Sequence, residues 1–302
     1  MVNLPRGVDI NNLIDDLRIF SWEAADILLY YSDIIKNSEN KINFISNENE
    51  TDPVTIADLK VNNLIFRRMQ EKYKNIDWEI LSEENVKEGK NNLFLKSDWL
   101  WVLDPLDGTK DFIQGTEDYA MHLALNYKGI PQVGIVLIPC KDELWFSNGV
   151  ITWCEDRNRL SKAPELSKFR SINQMTLVTS KNHNNEILRD LVEKIEFKKR
   201  IIMGSIGCKI ASIVRGESDI YISLSLPGKS APKDWDLAAP EAILFSAGGA
   251  ITNLANQRLN YKKNNFEQKG IIIASSNKQT HELICNQINE IITENNLYPF
   301  FA

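Results

Sequence analysis

Apolar residues recur at three- and four-residue steps along the first part of the chain and predict two helices. The first runs from Asp9 to about Lys36, with the spacing of a long amphipathic helix packed on a core. The second runs from Ile56 to about Tyr73 and follows Thr55, whose hydroxyl suits an N-cap. Between them, Asn37–Thr51 is rich in Asn, Ser and Glu and predicts an exposed loop.

Shorter apolar or alternating segments predict a mostly antiparallel sheet in the same half of the chain. The predicted strands are Trp78–Leu81, Trp99–Leu103, Tyr119–Tyr127, Gln132–Ile138 and Glu143–Ser147. With the two helices covering this sheet, residues 1–160 are expected to form an α+β half.

Strands and helices alternate in the second half, which predicts an α/β unit with helices on both faces of its sheet. The polar, weakly patterned stretch Ile151–Asn173 is the predicted boundary, so this half takes residues 161–302. The predicted strands are Met175–Thr179, Arg200–Met203, Ile220–Leu224, Ala250–Asn253 and Ile271–Ala274. The predicted helices are Asn184–Ile195, Ser205–Val214, Trp235–Phe245 and Gln279–Thr293.

Composition and charge narrow the class of protein. The 302 residues are 43% hydrophobic and 25% charged, as in ordinary globular chains. A net charge of −6 argues against a nucleic-acid polymer as partner, because proteins that bind one usually carry a basic face. No uninterrupted apolar run is long enough to span a bilayer, and we expect no signal peptide because Met1–Arg6 lacks the apolar core of one. The four cysteines form no CxxC pair, so we expect reduced, mostly buried thiols in a cytoplasmic protein.

Candidate chemistry begins where the strand Trp99–Leu103 ends. Asp104 and Asp107 follow it directly, and charge is buried only when it is paired or binds metal. Carboxylate oxygens are the ligands that Mg²⁺ prefers. The amides of Gly108, Thr109 and Lys110 are expected at a helix N-terminus, which favours phosphate binding. This segment therefore predicts metal-assisted phosphoryl chemistry.

Three further acids have both a structural and a functional interpretation. Asp58 falls in the first turn of a predicted helix, where it either complements the helix dipole or acts as a base. Asp236 also starts a predicted helix, as a cap or a metal ligand, and Glu83 follows a predicted strand. If the strands are neighbours, all five acids converge on one pocket, where two cations about 4 Å apart would relieve their repulsion and activate a water. Asp58 and the Thr109 hydroxyl would then orient that water.

A second phosphoryl mechanism starts from the same segment. Haloacid-dehalogenase-like phosphatases use a DxDGT-type strand end whose first Asp is a covalent nucleophile. Asp104 and Asp107 are one residue farther apart than the acids of that motif. They also lie a third of the way into the chain rather than at its first strand. Both differences disfavour the covalent mechanism.

Four ordered motifs resemble those of the inositol-monophosphatase-like, metal-dependent, lithium-sensitive phosphatases. They are Asp52–Asp58 (DPVTIAD), Leu81–Glu84 (LSEE), Trp101–Thr109 (WVLDPLDGT) and Trp235–Pro240 (WDLAAP). The resemblance covers nearly the whole chain. It implies an α/β fold layered as α/β/α/β/α, of the inositol monophosphatase/fructose-1,6-bisphosphatase type.

The same resemblance implies two Mg²⁺ ions that share Asp104 as a ligand, and a weaker third ion near Glu83. The implied ligands are Glu83, Asp104 and the Leu106 carbonyl for the first ion, and Asp104, Asp107 and Asp236 for the second. Asp58 and Thr109 would align and deprotonate the attacking water. The amides of Gly108 and Thr109 would hold the scissile phosphate.

Within this family the chain is similar to the 3'(2'),5'-bisphosphate nucleotidases. Lys110–Phe112 (KDF) follows the DGT motif where inositol monophosphatases tend to carry Thr-Asn-Phe, and Val178–His183 and Gly204–Lys209 resemble nucleotide-binding segments of that group. The implied substrate contacts are His183, Ser205, Lys209 and Asp236. Alternatively, His183 only starts a helix and Lys209 is a solvated helix residue.

These likenesses imply a Mg²⁺-dependent phosphatase that removes the 3'-phosphate of 3'-phosphoadenosine 5'-phosphate, giving AMP and phosphate, in sulfur metabolism. The precursor 3'-phosphoadenylyl sulfate is a second candidate substrate. The alternatives are an inositol monophosphatase or a sugar-bisphosphatase of the same superfamily and, in another class, a catalytically inactive nucleotide-binding protein. The implied enzyme is a monomer or homodimer.

Two segments depart from the family pattern. Asn37–Asn49 lacks the usual basic-and-acidic character, which weakens the prediction of a third ion. Nearby acids either help to hold that ion or form a solvated run; they are Glu48, Glu50 and Asp52. The insert Leu226–Lys233 carries Lys229 and Lys233, which either serve an anionic substrate or are solvated.

Overall fold

The computed structural model describes residues 2–38, 45–47, 54–87, 89, 97–180, 186–261 and 265–297.

Both N-terminal helices are present, and local capping fixes where each begins. The carboxylate of Asp9 accepts hydrogen bonds from the amides two and three residues further on. Thr55 is the N-cap of the second helix, as predicted. The elements of this region are α1 (Ile10–Asn37), β1 (Ile45–Asn47), β2 (Val54–Thr55) and α2 (Ile56–Tyr73), with β1 antiparallel to β2.

Seven strands of the described residues form the first sheet, in the order β3-β4-β5-β6-β7-β8-β9. They are β3 (Glu79–Ser82), β4 (Trp99–Asp107), β5 (Ala120–Tyr127), β6 (Ile130–Ile138), β7 (Glu143–Ser147), β8 (Thr152–Glu155) and β9 (Ser161–Lys162). Only β3 and β4 run parallel; the other neighbours are antiparallel. Two short helices follow strands β3 and β4, namely α3 (Glu83–Lys87) and α4 (Thr109–Gln114).

Strand β4 corrects one sequence prediction. The strand was expected to end at Leu103, but it continues through Asp104 to Asp107. Its pairing with β5 is irregular between these two acids, where Pro105 has no amide hydrogen to donate to the ladder. The strand therefore ends with a bulge that carries both carboxylates.

The second sheet has five described strands in the order β11-β10-β12-β14-β13. The first three are parallel, and β14 pairs antiparallel with both β12 and β13. The strands are β10 (Thr176–Ser180), β11 (Lys199–Met203), β12 (Ile220–Ser225), β13 (Ala250–Asn253) and β14 (Gly270–Ser275). The helices are α5 (Glu186–Ile195), α6 (Ile206–Val214), α7 (Asp234–Ala247) and α8 (His281–Glu294).

Alternating side chains of the two sheets separate the core into layers. Trp101 and Met121 belong to the cluster that α1 and α2 form on the first sheet. Ala120 and Ala124 face the other way, onto α6 and α7, which also contact the second sheet. The far face of the second sheet packs on α5 and α8. The α/β/α/β/α arrangement is therefore confirmed.

The stretch predicted as the boundary between halves contains β8 and β9, which extend the first sheet to Lys162. The division at residue 160 stays a prediction. All four cysteines are free, and all but Cys140 are buried, as expected of reduced thiols. No described helix is long and apolar enough to cross a membrane.

Candidate active site

The five predicted acids lie at the ends of elements that meet near one edge of the first sheet. Glu83 begins α3 directly after β3, and Asp104 and Asp107 end the adjacent parallel strand β4. Asp58 and Asp236 are each in the first turn of a helix, α2 and α7 respectively. Parallel neighbours end at the same edge of a sheet, so the fold itself brings the strand acids together.

Asp104 is the centre of this group. Its side chain is buried, with 1% of its surface exposed, and its Oδ1 accepts the Leu106 amide at 3.0 Å. Burial raises the pKa of Asp104 well above its usual range, and the charges of nearby carboxylates raise it further. In decreasing order of effect, those carboxylates are Glu83, Asp107 and Asp236.

Asp236 has the same character although it comes from the other half of the chain. Burial raises the pKa of Asp236 well above its usual range, and Asp107 and Glu83 raise it further. Its Oδ2 accepts the backbone amide of Lys233 at 2.7 Å, so the same side chain also caps the start of α7. The capping interpretation is therefore confirmed, and the role of Asp236 as a metal ligand stays a prediction.

Mutual repulsion among these carboxylates bears on the prediction that the group holds cations. Several buried carboxylates stay ionised together only when cations neutralise them. Oxygen donors of this kind fit Mg²⁺, so the residues present fit the predicted cations. In the described ranges, however, no group of three or more His, Cys, Asp or Glu side chains is arranged so that it could hold a metal ion as it stands. Glu83 pairs with Lys87 at 2.8 Å, and Asp107 is bonded to α6.

Asp107 connects the first sheet to the start of α6. Its Oδ2 accepts the Ser205 hydroxyl at 2.6 Å, the Gly207 amide at 3.1 Å and the Ile206 amide. A carboxylate at a helix N-terminus is stabilised by these amides and by the helix dipole. Ser205, predicted as a substrate contact, is thereby placed beside a predicted metal ligand.

Asp58 has the environment of a general base. It is fully buried, its Oδ2 accepts the Thr55 amide at 2.9 Å and the Thr55 hydroxyl, and its Oδ1 has no hydrogen-bond partner in the described structure. Burial and the charge of Glu83 raise the pKa of Asp58 to about 7, against the hydrogen bonds from Thr55, which lower it. A carboxylate with a pKa near neutrality accepts protons efficiently at physiological pH.

Thr109 and its neighbours form the turn after β4. The Thr109 hydroxyl donates to the Leu106 carbonyl at 3.0 Å, so the predicted water-orienting group touches the predicted carbonyl ligand. Gly108 precedes Thr109 with φ of 90°, and a Cβ there would lie 2.7 Å from the Asp118 carbonyl oxygen. Only glycine fits this turn, because both the positive φ and the close approach exclude a side chain.

Lys209 is the fourth residue of α6 and is buried, with 3% of its surface exposed. Its Nζ donates to the Ser205 carbonyl at 3.1 Å and lies 5.5 Å from the centre of the Tyr221 ring. Burial lowers the pKa of Lys209, whereas the charges of Asp107 and other nearby acids raise it. The alternative that Lys209 is a solvated helix residue is therefore wrong, and its contact with substrate stays a prediction.

The remaining predicted residues divide into two groups. Lys229 is exposed, and Lys233 forms an ion pair with Glu267 at 2.7 Å. Four lie outside the described residues, and these are Glu48, Glu50, Asp52 and His183.

Sequence reasoning missed His122, a fully buried residue of β5 beside Asp107. Burial lowers its pKa, and the charge of Asp107 opposes that effect. A signal existed in the alternation of β5, since Met121 and Leu123 face the α1 and α2 cluster and His122 must face the opposite side.

Comparison with known proteins identifies the family to which this sequence is similar. Residues 20–293 match the model of the inositol monophosphatase family. A 3'(2'),5'-bisphosphate nucleotidase CysQ from Buchnera aphidicola is 30% identical over 227 residues, which cover 74% of this chain and 80% of the relative. A fructose-1,6-bisphosphatase/inositol-1-monophosphatase from Thermotoga maritima is 25% identical over 276 residues, which cover 90% of this chain and 94% of the relative.

Solved structures agree at the level of the fold. An inositol monophosphatase (IMPase) from Thermotoga maritima superposes with a TM-score of 0.70 at 20% identity, covering 94% of this chain and 99% of the neighbour. An inositol monophosphatase from Anabaena superposes with a TM-score of 0.68 at 20% identity, covering 96% of this chain and 97% of the neighbour.

Proposed function

The chain belongs to the inositol monophosphatase family, and from that premise we propose that it removes the 3'-phosphate of 3'-phosphoadenosine 5'-phosphate, giving AMP and phosphate. Phosphatase chemistry is supported above all by the buried acid group around Asp104, whose mutual repulsion calls for cations. The nucleotide substrate is supported by the Buchnera relative, a nucleotidase at 30% identity.

The proposed cations are two Mg²⁺ ions, with a third near Glu83. The residues proposed to hold the first are Glu83, Asp104 and the Leu106 carbonyl, and those proposed for the second are Asp104, Asp107 and Asp236. When bound, such ions lower the pKa of a water and neutralise charge on the leaving oxygen. Lithium is expected to inhibit by competing for one of these positions.

The chain's own residues are proposed to handle the proton and the phosphate. Asp58 accepts the proton of the attacking water through its unpartnered Oδ1, and the Thr109 hydroxyl orients that water. The amides of Gly108 and Thr109 hold the scissile phosphate at the start of α4. Contacts of His183, Ser205, Lys209 and Asp236 with the nucleotide are proposed from the family resemblance.

A second candidate function is favoured by a specific observation. The Thermotoga relative is named for two activities, on fructose 1,6-bisphosphate and inositol 1-phosphate, and covers more of this chain than the Buchnera nucleotidase does. Inositol monophosphatase or sugar-bisphosphatase activity is therefore the alternative.

The nucleotidase is proposed to act in the cytoplasm, as a monomer or homodimer, where it recycles a by-product of sulfate assimilation.

A side-by-side assay separates these candidates. Phosphate release is measured with Mg²⁺ from 3'-phosphoadenosine 5'-phosphate, 3'-phosphoadenylyl sulfate, inositol 1-phosphate and fructose 1,6-bisphosphate. We expect the highest kcat/KM on the first nucleotide. The proposal fails if that nucleotide is the poorest substrate. Tight nucleotide binding without turnover would instead favour an inactive binding protein.

A further inference from the structure

His122 is the third residue of β5, directly opposite Asp104 in the strand register, and its side chain is fully buried. Its Nδ1 lies 3.3 Å from the backbone carbonyl oxygen of Trp235, the residue before Asp236. A carbonyl oxygen only accepts hydrogen bonds, so this contact places a hydrogen on Nδ1 and fixes the orientation of the ring.

The other nitrogen of the ring faces the end of β4. Nε2 is buried, has no hydrogen-bond partner among the described residues and lies 3.3 Å from Oδ2 of Asp107. The same Oδ2 accepts the amides that begin α6. One imidazole therefore touches the element that carries Asp107 and the element that carries Asp236.

Helix α6 closes against the same ring. A Cβ added to Gly207 would lie 2.2 Å from Nε2 of His122, so α6 approaches this closely only because Gly207 has no side chain. The ring thus fills the space where β4, α6 and α7 converge. A buried polar ring is costly unless its contacts compensate for lost hydration, so a smaller or apolar residue would serve packing alone at least as well.

We propose that His122 is a positioning residue for the second cation site, and that it sets the separation of Asp107 and Asp236 by holding β4, α6 and α7 against one ring. This inference rests on the two-cation assignment of the proposed function. Residues behind metal ligands orient the ligating groups, and their loss typically weakens metal binding about 10- to 100-fold.

Three substitutions separate the two contacts of the ring. His122→Leu removes both. His122→Asn retains a hydrogen-bond donor near the position of Nδ1, for the Trp235 carbonyl, and His122→Gln retains only a side-chain contact with Asp107 near the position of Nε2, whose lone pair donates no hydrogen bond. His281→Gln is the matched control, because His281 is equally buried but lies at the start of α8, bonded to Ser275 and Thr252.

Calorimetric titration of Mg²⁺ into the metal-free protein tests the inference, with thermal unfolding in chelator to establish that each variant is folded. The wild type is expected to bind at least two ions, and His281→Gln is expected to bind them with the same affinities as the wild type. In His122→Leu one of these two binding events is expected to lose about 10- to 100-fold in affinity. The Asn and Gln variants are expected to lie between.

Kinetics provide the second readout. The Mg²⁺ concentration needed for half-maximal kcat should rise in the His122 variants, while KM for the nucleotide at saturating Mg²⁺ stays unchanged. Wild-type affinity at both sites in His122→Leu overturns the inference. If the Leu variant does not fold, wild-type affinity in both the Asn and Gln variants overturns it equally. A wild type that binds fewer than two ions instead refutes the two-cation assignment itself.

Discussion

At the scale of single residues, Asp58 and Asp236 show how one carboxylate serves a helix and a site together. Each is the third residue of its helix, and each uses Oδ2 to accept the amide of the N-cap residue. Capping was predictable from the sequence because it depends on local spacing. The raised pKa values were not, because burial and neighbouring charge come from distant segments.

Asp58→Asn tests the base assignment. The amide has the shape of the carboxylate but cannot accept the proton of the attacking water, so kcat is expected to fall about 10²- to 10⁴-fold. Mg²⁺ binding, measured by calorimetry, should change little because Asp58 is not a proposed ligand. Asp9→Asn is the matched control, since it makes the same change at the exposed cap of α1. A kcat within tenfold of wild type would contradict the assignment.

Asp104→Asn tests the shared ligand. Loss of one charge from both proposed cations is expected to lower kcat/KM at least about a thousandfold, equivalent to several kcal/mol of transition-state stabilisation. In chelator the same change should raise the melting temperature, because it removes one of several repelling buried carboxylates.

The control for this variant is Asp98→Asn, which alters an exposed acid just before β4 and is expected to change neither property. Near-normal turnover of Asp104→Asn, or a metal-free melting temperature below that of wild type, would refute this description of the acid group.

At the scale of elements, α2 was predicted to its observed ends because the Thr55 cap and the apolar spacing are both local signals. Strands β8 and β9 were not predicted, because they are short segments within a mostly polar stretch and they become strands only by pairing with an existing sheet. The bulge that ends β4 was not predicted, for a related reason. Its geometry depends on the pairing of Asp104 with His122 and of Asp107 with Ala120.

Helix α8 is joined to the second sheet by a buried polar contact that sequence periodicity does not reveal. Nδ1 of His281 lies 2.7 Å from the Ser275 hydroxyl in β14, and Nε2 lies 2.8 Å from the Thr252 hydroxyl in β13. Burial lowers the pKa of His281 from 6.5 to about 4. The folded protein therefore holds this ring neutral.

This contact predicts an acid-dependent loss of stability. Below about pH 6.5 the unfolded chain takes up a proton at His281, whereas the folded chain does so only near pH 4. As the pH is lowered across this window, the free energy of unfolding should therefore decrease, by up to about 1.4 kcal/mol per pH unit from this residue.

Denaturant unfolding of wild type and His281→Gln at several pH values measures that contribution. The difference in stability between the two proteins should change in favour of the variant as pH falls from 6.5 to 4. Parallel pH profiles would show that His281 does not contribute.

At the scale of the whole molecule, the site forms where two segments far apart in sequence meet between the sheets. Asp107 ends a strand of the first sheet, yet its side chain accepts hydrogen bonds from the start of α6. Helix α6 packs together with α7 between the two sheets. The motifs predicted which acids belong together, since each lies at an element end. They did not predict the joining of Asp107 to α6 or the burial of Lys209, because both depend on how the halves pack.

Identification of the nucleotide product tests the central proposal most directly. The purified protein is incubated with 3'-phosphoadenosine 5'-phosphate, with Mg²⁺ and in parallel with chelator, and the products are separated by chromatography. The proposed function predicts one equivalent of phosphate and 5'-AMP, formed only when Mg²⁺ is present. Recovery of adenosine 3'-phosphate, or of unchanged nucleotide under Mg²⁺ from a folded protein, would contradict it.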